Sequence, residues 1–384
     1  MNPKPSSQVN EKTVFVGLIF ISIFISFRLA WSQNAANRTV SPFALTKIGL
    51  EAWSKGGAYV ASWRNPLAPI HNPASSIADG HSVYVEVGRA FPSEYLGSDF
   101  DNQFILPGYL AFSTTFKNLN LSVAYANSYN LKLEGGPNTP EPLPEGPGVM
   151  IGVKSETTVH TFLGSIGYRI PQRVAIGATV GINFLKENEE VKGTEFSARG
   201  DGLGPRFSIG FLYSPLHKIT FGTSFHYSGD IAYDPEGSLP SVVSGDSSRG
   251  SRGTSPITQP DQLTVRFPWS VQFGVQYEAI SFLNLYAMLD YQKWSSARAS
   301  LHDELQFHLG AKFIPTSIFN LALGFFTLND PITVLNLDQK FLTFGVQLQA
   351  YKNIGLYATI LDSHLFADEP KQTYLGLGLQ YSRN

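Results

Sequence analysis

Apolar and polar residues alternate with a period of two over long stretches of this chain, from about residue 81 to the last residue. Between Phe341 and Tyr351, Leu342, Phe344, Val346, Leu348 and Ala350 share one face, opposite Thr343, Gly345, Gln347 and Gln349. From Val265 to Tyr277 the apolar face carries Val265, Phe267, Trp269, Val271, Phe273, Val275 and Tyr277. Arg266, Ser270, Gln272, Gly274 and Gln276 face the other way. Val174 to Phe184 repeats the pattern, and so does Leu375 to Tyr381. Period two is the signature of a strand whose two faces meet different surroundings. These runs reach ten residues or more, the length a tilted strand needs to cross a bilayer.

The alternation predicts strands at 82–90, 108–116, 119–134, 156–170, 173–187, 205–214, 218–234, 262–278, 282–295, 299–314, 319–329, 340–351, 354–366 and 373–382. Their connections alternate in length. Lys117-Asn118, Pro171-Gln172, Pro215 to His217, Ala279 to Ser281, Pro315 to Ile318 and Lys352-Asn353 are short. The segments 135–155 and 235–261 are long and rich in Gly, Pro and Ser. An even strand number with short turns at one end and long loops at the other describes a transmembrane barrel, not a soluble sandwich. An aromatic precedes each short turn: Phe116, Tyr168, Tyr213, Tyr277, Phe313 and Tyr351, with Tyr381 in the matching place on the last strand. Rings favour the headgroup level, so this row predicts the periplasmic girdle. The expected fold is all-β: a transmembrane antiparallel barrel of about fourteen strands.

Composition changes the picture in one respect. Only 15% of the residues are charged, against roughly 25% in an ordinary soluble domain. A wall covered by lipid does not need more. A formal charge of -2 gives no footprint for nucleic acid, and no cysteine is present for disulfides, thiol catalysis or a lipid anchor.

The N-terminus reads as a secretory signal over 1–32. Lys4 and Lys12 precede an apolar run from Val14 to Phe27, and Ala30-Trp31-Ser32 forms a small-x-small site with cleavage expected after Ser32. Residues 33–80 are neither strand-like nor low in complexity, and 81–384 form the barrel. So wide a barrel cannot be filled by its own side chains. Gly177, Gly181, Gly210, Gly222, Gly274, Gly310, Gly345 and Gly376 all occupy inward positions. Residues 33–80 are expected to fill that space as a plug.

Gly57-Ala58-Tyr59-Val60-Ala61, followed by Asn72-Pro73-Ala74 and then the first strand, resembles the N-terminal hatch of the FadL/TodX outer-membrane transporters. The resemblance covers nearly the full mature length, although this chain ends Tyr381-Ser382-Arg383-Asn384 where most such barrels end on an aromatic. It implies passive passage of hydrophobic molecules, such as long-chain fatty acids or aromatic hydrocarbons, past a hatch and sideways through a kinked third strand. Gly57, Ala58, Asn72, Pro73 and Ala74 would then belong to the hatch. It also implies a basic contact for a carboxylate head, for which Arg266 and Lys312 are the expected residues. Partners implied are the apolar ligand, outer-membrane lipid and lipopolysaccharide, and the barrel-assembly machinery. The hatch is also close to that of secretion-associated barrels, which leaves a structural or secretory role, or an adhesin, as the alternative.

On the third strand the outward series Leu121, Val123, Tyr125 meets Asn127. A polar residue facing lipid is costly. It predicts a bulge, and with it a site for a lateral opening. No Gly-x-Ser-x-Gly elbow, metal-ligand spacing or dinucleotide fingerprint is present. No enzyme, cofactor or metal is expected.

Overall fold

The computed structural model describes residues 37–39, 48–75, 80–91, 93–95, 98–100, 108–135, 141–142, 149–150, 152–170, 173–192, 197–238, 262–329, 331, 338–365 and 372–383. The expected signal segment, 1–32, lies outside them.

Fourteen antiparallel strands form the wall. They are β1 (His81–Phe91), β2 (Tyr109–Phe116), β3 (Leu119–Gly135), β4 (Val153–Ile170), β5 (Val174–Val191), β6 (Ser197–Leu216) and β7 (Ile219–Ser228). The series continues with β8 (Trp269–Ile280), β9 (Leu283–Lys293), β10 (Glu304–Phe313), β11 (Phe319–Leu328), β12 (Gln339–Tyr351), β13 (Ile354–Asp362) and β14 (Thr373–Arg383). Each pairs with its chain neighbour, and β14 returns to β1 in a register running from His81 opposite Arg383 to Phe91 opposite Thr373. Closure matters because lipid offers no partner for an edge N–H or C=O. No helix among the described residues is long and apolar enough to cross a membrane.

The faces follow the alternation. Leu121, Val123, Phe162, Ile166, Ile176, Val180, Phe207, Ile209, Phe273, Leu309, Leu323 and Leu377 are exposed on the outside. All seven girdle aromatics are exposed: Phe116, Tyr168, Tyr213, Tyr277, Phe313, Tyr351 and Tyr381. An apolar exterior ending on a row of rings at the short turns is the surface of an outer-membrane barrel.

Four strand expectations need correction; the expected strand 218–234 is two pieces, β7 and Ile231–Tyr233, parted at Gly229-Asp230. β6 begins at Ser197, eight residues before the expected 205, because the outer part of the strand carries Gly, Arg and Asp, not alternating apolar residues. The expected strand 262–278 is two pieces, Leu263–Arg266 and β8, separated at Phe267-Pro268. Proline supplies no N–H to a ladder, and the phase is lost across it. Val265 and Phe267, expected on the lipid face, therefore pack inward with Trp294, Leu263 and Ile231. The expected strand 299–314 begins only at Glu304, since a short helix, Trp294–Ala297, and a turn precede it.

Not every part of the wall is laddered on both sides. β2 begins at Tyr109, so β1 pairs with it only from His81 to Glu86. β3 pairs with β2 only up to Ala126. Beyond that level, among the described residues, the β1 side of β3 is met by the Gly108 carbonyl, which accepts the Asn127 N–H at 2.9 Å, and then by Asp99 and Phe100, opposite Glu134 and Leu133. The register of β3 against β4 shifts between Asn127 and Tyr129, leaving Ser128 as the extra residue.

Candidate functional site

Residues 48–75 pack against the inner wall. The short helix Leu50–Trp53 starts at Gly49, and Glu86 of β1 accepts the N–H groups of Gly49 (2.6 Å) and Leu50 (3.0 Å). A helix start leaves such donors unpaired, and here a wall carboxylate satisfies them. Tyr84 donates to the same carboxylate at 2.8 Å. Thr359 donates to the Leu50 carbonyl at 3.0 Å, Thr343 Oγ1 receives the Gly56 N–H at 3.1 Å, and His308 Nδ1 lies 2.7 Å from the Gly56 carbonyl. Trp63 Nε1 donates to Ser214 Oγ at 2.9 Å. These contacts come from five strands, β1, β6, β10, β12 and β13, of which only β12 and β13 are neighbours.

The inward glycines set how close this segment comes. At Gly210 an added Cβ would stand 1.9 Å from Asn72 Oδ1, and at Gly177 2.4 Å from the Pro73 backbone. Gly222, Gly274, Gly310, Gly345 and Gly376 likewise face Val60, Lys55, Ser54 or Leu50. Gly181 does not, since its neighbours are Phe162 and Leu163. Gly324, which the alternation did not single out, meets Gly56.

Asn72 is fully buried. Its Nδ2 donates to the Val60 carbonyl at 2.6 Å, and its Oδ1 accepts the Ala74 N–H at 3.0 Å. Pro73–Ser75 form one 3₁₀ turn, which Ser75 Oγ closes by donating to the Asn72 carbonyl at 2.7 Å. The amide thus ties two parts of the segment together beside β5 and β6. Gly57 has φ 76°, a left-handed conformation that suits glycine. Ala58 is buried next to it.

Lys312 donates to Glu51 Oε1 at 3.1 Å and to Gln347 Oε1 at 3.0 Å. Lys55 stands 3.5 Å from the same Glu51 oxygen. Burial would raise the Glu51 pKa, but Lys312 and Lys55 overcome it and hold the carboxyl at about 2. Burial pushes His71 down to about 3, so it is neutral, and its Nε2 lies 3.0 Å from the Ile48 carbonyl. Arg266 is paired with Asp230 at 3.0 Å at the outer end. Lys312 and Arg266 are therefore far apart in the fold, and each already faces an acid.

Above the segment lies a cavity of about 200 Å³. Its floor includes Ile48, Tyr59 and His71, whose rings are 3.7 Å apart. Its walls carry Asn183, Arg206, His226, Gln272, Asp290 and Gln306. Gln272 donates to Tyr59 Oη and to Asp290 Oδ2, both at 3.2 Å. Asp290 Oδ1 and Gln306 Nε2 have no partner among the described residues. Arg206 has none either: no carboxylate there lies within ion-pair distance. Two residues further out the lumen turns apolar, with Tyr129, Val159, Leu185, Ile231, Val265 and Trp294 in one buried cluster. Arg206 lies in the expected strand 205–214 and in phase with inward Gly210, but alternation marks a face and does not tell which of its polar residues lacks a partner acid.

Asn127 is fully buried, and neither of its amide atoms has a partner among the described residues. It stands beside the register shift, at the base of the part of β3 that β2 does not reach. Among the described residues no cluster of His, Asp and Glu is arranged to hold a metal.

No protein-family model matches the chain, and no curated protein matches it in sequence. Solved structures do match in fold. The toluene transporter TbuX of Ralstonia pickettii superposes with a TM-score of 0.65 at 15% identity, over 89% of this chain and 100% of that one. A FadL homologue of Pseudomonas aeruginosa gives 0.62 at 13% identity, over 87% and 98%. The toluene transporter TodX of Pseudomonas putida gives 0.58 at 13% identity, over 87% and 97%. In its fold, the chain is an outer-membrane β-barrel of the FadL/TodX type.

Proposed function

We propose that this barrel lets apolar and amphipathic molecules, long-chain fatty acids among them, cross the outer membrane down their gradient, with residues 48–75 as its hatch. The observation that carries the reading is the glycine-lined seat. Seven inward glycines foreseen from the alternation accept the backbone or short side chains of one segment. That arrangement closes the lumen to water while keeping the closure separable from the wall. It suits a channel whose cargo does not travel in water.

The cavity above the hatch supplies the binding step. A tail would lie in the apolar cluster and a carboxylate head would meet Arg206, which is free to pair. Arg206 takes this role in preference to Lys312 and Arg266, because Glu51 and Asp230 already hold those two. The exit would be sideways, where β2 ends and β3 is bulged at Asn127. A hydrophobic passenger leaving there enters lipid without crossing the periplasmic side of the hatch.

Deletion of residues 42–75 tests the hatch. It should open a steady ion conductance in planar bilayers and change the permeation of a labelled fatty acid. A full-length chain that already conducts as freely as the deletion would overturn the reading.

A further inference from the structure

We propose that the lipid-facing wall over β2–β5 carries a specific seat for lipid A, a phosphorylated lipid of the outer leaflet, separate from the lumen. A groove of about 440 Å³ runs there between Phe112, Leu121, Val123, Gly164, Ile166 and Val180. Its depth comes from a missing side chain: a Cβ on Gly164 would meet nothing within 4 Å. The lining is apolar and faces outward, which suits an acyl chain.

The chemistry changes at the groove's outer end. β4 runs from the outer end to its girdle residue Tyr168, so Phe162 and then His160 follow Gly164 away from the periplasm. His160 Nδ1 lies 2.8 Å from Tyr125 Oη, and the two rings stack at 5.9 Å. His160 Nε2 has no partner among the described residues. Phe184 of β5 lies opposite His160, and exposed Lys186 follows two residues further out. Lys186 has Asp201 as its cross-strand neighbour on β6 but makes no ion pair with it among the described residues. A polar pair four residues beyond Gly164, and a free cation six residues beyond Val180, stand outward of the apolar groove and complement a phosphate above an acyl chain that reaches down into it.

A second groove gives the contrast. It has about 490 Å³ and is lined by Val275, Leu285, Ala287, Leu309, Ala311 and Leu323. The outward residues beyond it are Phe273, Leu289 and Phe307, all apolar. Lys293, six residues beyond Ala287 on the same face, is already held by Asp303 at 2.6 Å, so this groove offers room without a free cation.

The test is native mass spectrometry of the purified full-length barrel titrated with lipid A and, separately, with phosphatidylcholine. The wild type should retain one lipid A preferentially. Gly164→Leu should weaken that retention by about tenfold or more, since it fills the space of several methylenes. Lys186→Ala and His160→Ala should weaken lipid A and leave phosphatidylcholine unchanged, while Ala287→Leu should change neither. Equal retention by wild type and Gly164→Leu, or equal loss with Ala287→Leu, would overturn the proposal. So would lipid A and phosphatidylcholine retained alike by the wild type. None of these outcomes depends on whether the barrel transports anything.

Discussion

Asn72 shows what a single amide does in this lumen. It links Val60 to the turn at Pro73 and presses its oxygen toward Gly210, where even a methyl group has no room. Asn72→Ala leaves the Val60 carbonyl without that donor, at a cost of about 1–3 kcal/mol. Gly210→Ala acts from the wall side and pushes the same contact apart. Both variants should still form the barrel and migrate as heat-modifiable bands, but residues 48–75 should become accessible to protease. Protease resistance equal to wild type in Gly210→Ala would contradict the close approach. Glu51 adds a pH dependence. A carboxyl held below its unfolded value stabilises fully above about 4.5, and that contribution is lost as pH falls toward about 2. Protease accessibility of the segment should therefore rise between pH 4.5 and 3 and be less pH-dependent in Glu51→Gln. An equal rise in both proteins would show that other groups control it.

At the scale of the element, alternation was a good guide wherever one face meets lipid. β8 from Trp269, β12 and β14 were legible almost to the residue for that reason. The reading faltered where strands rise beyond the apolar band. There neither face is selected for lipid, and β6 between Ser197 and Gly204 carries Arg199 and Asp201 outward. It also faltered at Phe267-Pro268, since a proline interrupts the ladder and the phase on its two sides is then independent. The bulge at Asn127 was visible as a break in phase on an otherwise apolar face, and a register shift lies there. Arg206 shows another limit: alternation places it on the inward face with Gly210, but pairing across the lumen, which decides whether a cation is free, leaves no periodic trace. Removing the bulge tests its purpose. Deletion of Ser128 restores continuous register against β4, so it should lower uptake of a labelled fatty acid several-fold while the barrel still assembles. Unchanged uptake would argue against a lateral exit at this strand.

The whole molecule combines two solutions to one constraint. Lipid demands a closed ladder, and β14 on β1 supplies it. A ring of fourteen strands then leaves a wide lumen, and its inward glycines let residues 48–75 come close to the wall. Backbone-to-wall hydrogen bonds from Glu86, His308, Thr343 and Thr359 hold that segment without a covalent link across the lumen. In the proposed function such a segment would close the lumen at rest and rearrange at the cost of a handful of hydrogen bonds, each worth about 0.5–1.5 kcal/mol net.

The central claim is that apolar molecules pass through this barrel. It is tested most directly by the initial uptake rate of a labelled long-chain fatty acid in cells lacking any other route for it, with and without the chain. Uptake should rise severalfold when the chain is present and fall back when Arg206 is replaced by alanine. A rate that does not change on adding the chain would contradict the account.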